Sequence, residues 1–145
     1  GSTLLRDYLI NFSRSFIYTT ALPPSGVHAI LKAYGRLGGV VGSGARERLF
    51  QNIALFNRLK QDLGLQGYFI PATACIHCCE IGGNERVRAV AADLEARGYA
   101  VKPILAPTVP EGRECLRFSL HAFNTPEEIT EVLTILEESL RKRKV

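Results

Sequence analysis

Leu5, Tyr8, Leu9, Phe12 and Phe16 recur at spacings of three and four residues, which predicts one amphipathic helix. Val27, Ile30, Leu31, Tyr34 and Leu37 repeat the pattern in a second helix, entered through Pro23-Pro24-Ser25 and left through Gly38-Gly39. Leu49, Ile53, Phe56, Leu59 and Leu63 predict a third, stopping near Gly64. Val87, Val90, Ala91 and Leu94 predict a fourth, with Asn84 as cap and Gly98 as stop. Ile129, Val132, Leu133, Leu136 and Leu140 form the stripe of a fifth. Its entry is well specified: Thr125 as N-cap, Pro126 at the first helical position, and Glu128 completing a capping box.

Three strands are predicted at residues 74–81, 100–105 and 115–120. Pro103 removes a ladder donor, so the second belongs at an edge or a bulge. In the third, Leu116, Phe118 and Leu120 point one way and Cys115, Arg117 and Ser119 the other. Organisation changes near Gly64–Pro71, where all-helical sequence gives way to strand, helix, strand, strand, helix. The expected class is therefore α+β. A helical segment, residues 3–70, precedes a small domain, residues 71–145, with a short, mainly antiparallel sheet covered by helices on one face. The helical segment has no sheet of its own and reads as the trailing part of something larger. Gly1-Ser2 reads as a cloning scar.

Composition changes this picture little. The 145 residues are 46% hydrophobic and 22% charged, ordinary globular usage. No apolar run is long enough for a membrane span. The net charge of +4 owes much to Arg141, Lys142, Arg143 and Lys144. These suit a solvated helix end opposing the helix dipole. No aromatic residues interleave with them, which argues against nucleic acid.

Cys75-Ile76-His77-Cys78-Cys79 contains a C-x-x-C, with Cys115 apart. Zinc would want a second ligand pair, and a redox site would want the motif at a helix start. Inside a strand, Cys75 and Cys78 point to opposite sides. Buried structural thiols are expected, and no metal. The glycine-rich 38–44 stretch lacks the Lys-Ser/Thr of a nucleotide loop and reads as a helix-to-helix turn. His28, His77 and His121 fall in different elements, and no nucleophile elbow is present.

Two sites remain. In Tyr18-Thr19-Thr20-Ala21-Leu22-Pro23-Pro24, two hydroxyls at a helix junction could bind an anion or cap a helix. Arg117, between Leu116 and Phe118, must face solvent or have a partner; its planar fork matches a carboxylate.

Taken together, residues 15–24 and 98–125 resemble the α-oxoamine synthase family, pyridoxal-phosphate (PLP) enzymes of fold type I. The carriers are Thr19-Thr20-Ala21-Leu22-Pro23-Pro24 and Pro107-Thr108-Val109-Pro110-Glu111-Gly112, followed by Leu116-Arg117. The resemblance runs from about Leu4 to Leu140. It implies the C-terminal portion of a cytoplasmic homodimeric acyltransferase that condenses an amino acid with an acyl thioester. Arg117 is implied to grip the amino-acid carboxylate. Thr19 and Thr20 are implied to approach the PLP phosphate from the neighbouring subunit. The Pro107–Pro110 turn is implied to set the strand carrying Arg117.

Two positions depart from the family: Cys115 stands where a basic residue is usual, and Asn124 where a histidine is. The Pro-Thr-Val-Pro turn favours the biotin-pathway branch, using L-alanine and a pimeloyl thioester, or the 5-aminolevulinate branch. It disfavours the glycine C-acetyltransferase and serine palmitoyltransferase branches. The family's cofactor lysine falls before residue 3, and Lys32, Lys60 and Lys102 lack its context, so the chain alone is expected to be inactive. The rival readings are a non-catalytic α+β dimerisation domain and a metal or redox module built on the cysteines.

Overall fold

The computed structural model describes residues 1–143. Two compact units are present, Gly1–Val41 and a second from Gly42 onward. This contact boundary falls earlier than the change of pattern at residues 64–71.

The first unit contains α1 (Thr3–Phe12), α2 (Arg14–Ile17) and α3 (Pro24–Gly38). The single helix expected from Leu5 to Phe16 is broken at Ser13, whose backbone is extended. Serine offers the backbone a side-chain alternative, and here its hydroxyl pairs with that of Ser15 at 3.1 Å. Within α1, Tyr8 stacks on Phe12 with ring centroids 4.9 Å apart. Pro24 opens α3 at the position where a missing N–H costs nothing. Most of the apolar side chains of these helices are exposed, Leu4 at 81% and Tyr34 at 72% among them.

α4 (Val40–Asp62) begins only one residue after α3. The turn expected over residues 38–44 is thus confined to Gly39, whose backbone is extended. Gly42, Ser43 and Gly44 are helical: glycine weakens a helix without forbidding it.

The second unit continues with β1 (Ile76–Glu80), α5 (Asn84–Glu95), β2 (Lys102–Ile104), β3 (Cys115–Ser119) and α6 (Pro126–Lys142). The sheet order is β1-β3-β2, and both edge strands run antiparallel to β3. β1, α5 and β2 therefore form a crossover into which β3 is inserted. Pro103 lies on an edge strand, as its missing donor requires.

One face of the sheet is covered. His77, Cys79, Leu116 and Phe118 pack into a core with Phe56 of α4, Val87, Val90 and Leu94 of α5, and Ile129, Leu133, Leu136 and Leu140 of α6. The rings of Phe56, Phe69 and Phe118 meet with centroids 5.7–5.8 Å apart. The expected stripes of α4, α5 and α6 supply these contacts.

α6 starts as its sequence requires. Thr125 Oγ1 accepts the Glu128 amide at 3.2 Å, and the Glu128 carboxylate accepts the Thr125 amide at 3.0 Å. Arg141 and Lys142 occupy its last turn, and Arg143 pairs with Asp93 at 2.6 Å. Lys144 lies outside the described residues. Asn84 is not the cap of α5: Gly83 caps it, and Asn84 is its first residue.

Candidate functional site

The other sheet face is open, and Arg117 stands at its centre. Cα register places Cys78 of β1 and Lys102 of β2 directly across from Arg117, one on each side. Residues paired in this way project from the same face. Arg117, Ser119 and Lys102 are exposed, whereas Cys115, on the same face, is buried. Among the described residues, no carboxylate pairs with either Arg117 or Lys102.

A cavity of about 390 Å³ opens beside this pair. Arg117, Lys102, Tyr99, His121, Asn124 and Glu128 line it with apolar groups from α4 and α6.

The surrounding loops are held by buried polar groups. Glu114 is 3% exposed, and its carboxylate accepts the amides of Gly83 at 2.7 Å and Gly112 at 2.9 Å. Hydrogen bonds from its own amide, then from Gly83 and Gly112, hold this carboxyl below the usual range. Its backbone carbonyl accepts the amides of Ile81 and Gly82. Gly82 has φ +74°, and a Cβ there would lie 3.2 Å from the Gly112 carbonyl oxygen. This clamp fixes the entry to β3 three residues before Arg117.

Upstream, Asn84 Oδ1 accepts the Ala106 amide at 3.0 Å. The Ala106–Pro107 bond that follows is cis. The Thr108 amide donates to the Leu105 carbonyl at 2.8 Å, closing the Pro-Thr-Val-Pro turn. At the opposite rim, buried Asn52 donates from Nδ2 to the carbonyls of His121 and Asn124, each at 2.9 Å. Asn124 Oδ1 accepts the His121 amide at 2.8 Å. Asn124, where the family resemblance led one to expect histidine, is therefore a turn-forming residue lining the cavity.

Thr19 and Thr20 belong to the first unit and Arg117 to the second. Both threonines are exposed in the segment between α2 and α3. The Thr19 hydroxyl donates to the Ser15 carbonyl, one turn back. Neither residue caps α3, whose N-cap is Pro23 without a side-chain bond.

The cysteines are free thiols. Cys75 precedes β1 instead of lying in it, while Cys78 and Cys79 occupy opposite faces of the strand. Burial pushes the Cys79 thiol up to about 12 and the Cys115 thiol up to about 11. Such thiols are poor nucleophiles at neutral pH. Among the described residues no three metal-ligating side chains gather, and no helix is long and apolar enough to cross a membrane.

Sequence reasoning missed Lys102, Asn52 and Glu114. Lys102 could have been found from the pairing of the second and third strands. Asn52 offered only a polar residue beside an apolar helical stripe.

A family profile described as aminotransferase class I and II matches residues 1–136, and the chain belongs to that family. Within it, the chain is similar to 8-amino-7-oxononanoate synthases. That of Cellvibrio japonicus is 39% identical over 140 residues, covering 95% of this chain and 34% of the relative. That of Cupriavidus necator is 33% identical over 141 residues, covering 96% and 35%. The solved 8-amino-7-oxononanoate synthase of Francisella tularensis superposes with a TM-score of 0.81 at 29% identity, covering 99% of this chain and 41% of that one. A Sphingomonas wittichii serine palmitoyltransferase shares the fold, with a TM-score of 0.75 at 23% identity and coverage of 94% and 34%. The chain spans about a third of the length of the curated relatives it matches. The family expected from the two motifs is the family found.

Proposed function

We propose that this chain is the C-terminal part of a PLP-dependent α-oxoamine synthase of biotin synthesis, which joins L-alanine to a pimeloyl thioester with loss of carbon dioxide. The observation that carries the reading is Arg117: a guanidinium at the centre of an open sheet face, lining a concave site, with no carboxylate partner among the described residues. Its fork offers two parallel N–H donors, the geometry that receives a carboxylate. Holding that carboxylate fixes the substrate's Cα relative to the reacting group, so the binding energy is spent on orientation.

The chain also offers groups that fit a phosphate. Thr20 is exposed, and Thr19 keeps its oxygen at the junction between α2 and α3 while its proton is engaged by Ser15. In the homodimer we propose, this pair serves the cofactor phosphate of the neighbouring subunit. PLP, when bound, supplies the electron sink that stabilises negative charge at the substrate Cα. The residues of this chain orient and enclose; Arg117 and the pinned 121–124 turn form one wall of the site. The lysine that holds the cofactor is expected upstream of residue 3, so the 145 residues by themselves are proposed to be inactive. The exposed apolar side chains of α1 and α3 are surface that a large domain and a second subunit would cover.

The test is expression of the protein joined to its upstream coding sequence, followed by assay with L-alanine and pimeloyl thioester. Release of one carbon dioxide per amino ketone formed is expected. Turnover with glycine or serine but not alanine would move the protein to another branch. No turnover with any amino acid by a protein that holds PLP would overturn the reading.

A further inference from the structure

We propose that Lys102 is the second cation of the carboxylate site, sharing one bound carboxylate with Arg117; this rests on Arg117 as the carboxylate ligand. The two residues are register partners on adjacent strands, so their Cβ atoms stand about 5 Å apart on one face. Both are exposed, and both line the same 390 Å³ cavity.

The nearby charges sharpen the point. Glu80, on the same sheet face, is engaged by Arg113 at 2.7 Å. Glu128, in the cavity wall, accepts the Thr125 amide at 3.0 Å as part of the α6 cap. Neither acid is spent on Lys102 or Arg117. Like charges directly opposite on a sheet repel, a cost that an anion between them reverses.

The donor geometry is complementary. A carboxylate has about four lone-pair directions, and a bidentate guanidinium uses two. A lysine one strand away reaches the remaining ones as a flexible point charge. Arg117 therefore sets the plane of the carboxylate, and Lys102 adds attraction with little directional demand. For that reason arginine should replace Lys102 well, and a neutral residue badly.

The experiment is a titration of the intact enzyme, this chain joined to its upstream coding sequence, with sodium acetate, followed by side-chain NMR, with sodium chloride at matched ionic strength as control. The Arg117 Nε–H and Lys102 Cε resonances are expected to move together on one saturating curve. Lys102→Gln should weaken acetate binding about tenfold, the worth of one charge-assisted hydrogen bond. Lys102→Arg should stay within about twofold of the parent. A Lys102 resonance that follows chloride equally, with unchanged acetate affinity in Lys102→Gln, would overturn the proposal. So would the lack of any saturable acetate effect. Unchanged affinity in Arg117→Gln would instead overturn the underlying reading of Arg117, whatever Lys102 does.

Discussion

The carboxylate of Glu114 accepts the amide of Gly83, 31 residues earlier in the chain, at 2.7 Å. It draws the start of α5 against the loop that leads into β3. The second amide it accepts, from Gly112, belongs to that loop. Both amides converge on one oxygen, Oε2, and the charge of the carboxylate strengthens both bonds.

Glu114→Gln keeps an acceptor oxygen for these amides but removes the charge that strengthens their bonds. The melting temperature is expected to fall at pH 7. The pH dependence has a definite sign. A carboxyl held below its unfolded value contributes stability that is complete above the unfolded pKa and is lost as pH falls through the folded one. Thermal melts from pH 7 to pH 2 should show the parent's advantage over Glu114→Gln shrinking toward acid. An advantage independent of pH would show that the charge is not what holds the loops.

His77 carries the opposite kind of dependence. It is fully buried, stacks on Phe56 at 4.7 Å, and among the described residues neither ring nitrogen has a partner. Burial, with the nearby Lys60 charge, pulls its pKa down to about 4. The unfolded chain thus binds a proton below about pH 6.5 that the folded chain refuses until about pH 4. Folding stability should fall across that window. His77→Phe, which keeps the stack and removes the titration, should flatten the curve between pH 6.5 and 4. Urea denaturation at four pH values would measure it; parallel curves for the two proteins would contradict the assignment.

Asn52 holds the far rim of the cavity. Asn52→Leu leaves the carbonyls of His121 and Asn124 without their shared donor in a half-buried turn. A loss of about 1–3 kcal/mol is expected from denaturant unfolding. Amide exchange should quicken at residues 121–124 beyond this global loss, while β1 tracks it.

The core makes a plainer prediction. Leu133 is fully buried in the α6 stripe. Leu133→Ala should cost about 2–5 kcal/mol, according to how far the site collapses.

What could be read in advance follows from the range of each interaction. The α6 entry was legible because Thr125, Pro126 and Glu128 act over a single turn. The alternation about Arg117 was legible because a strand has period two. The break at Ser13 was not, since the apolar spacing runs through it unbroken. Helical Gly42 and Gly44 were missed because glycine signals a turn by propensity alone, which neighbouring helix can override. Lys102 and Asn52 become site residues only through pairings with Arg117 and His121, distant in sequence. Thr19, Thr20 and Arg117 were marked by resemblance; residue types alone left each with a structural alternative.

The central claim is that Arg117 binds the amino-acid carboxylate, and steady-state kinetics of Arg117→Ala in the intact enzyme test it most directly. The predicted result is a KM for the amino acid raised by about a hundredfold, the loss of a bidentate charge-assisted pair, with the thioester KM nearly unchanged. Equal increases in both KM values, or none in either, would contradict the account.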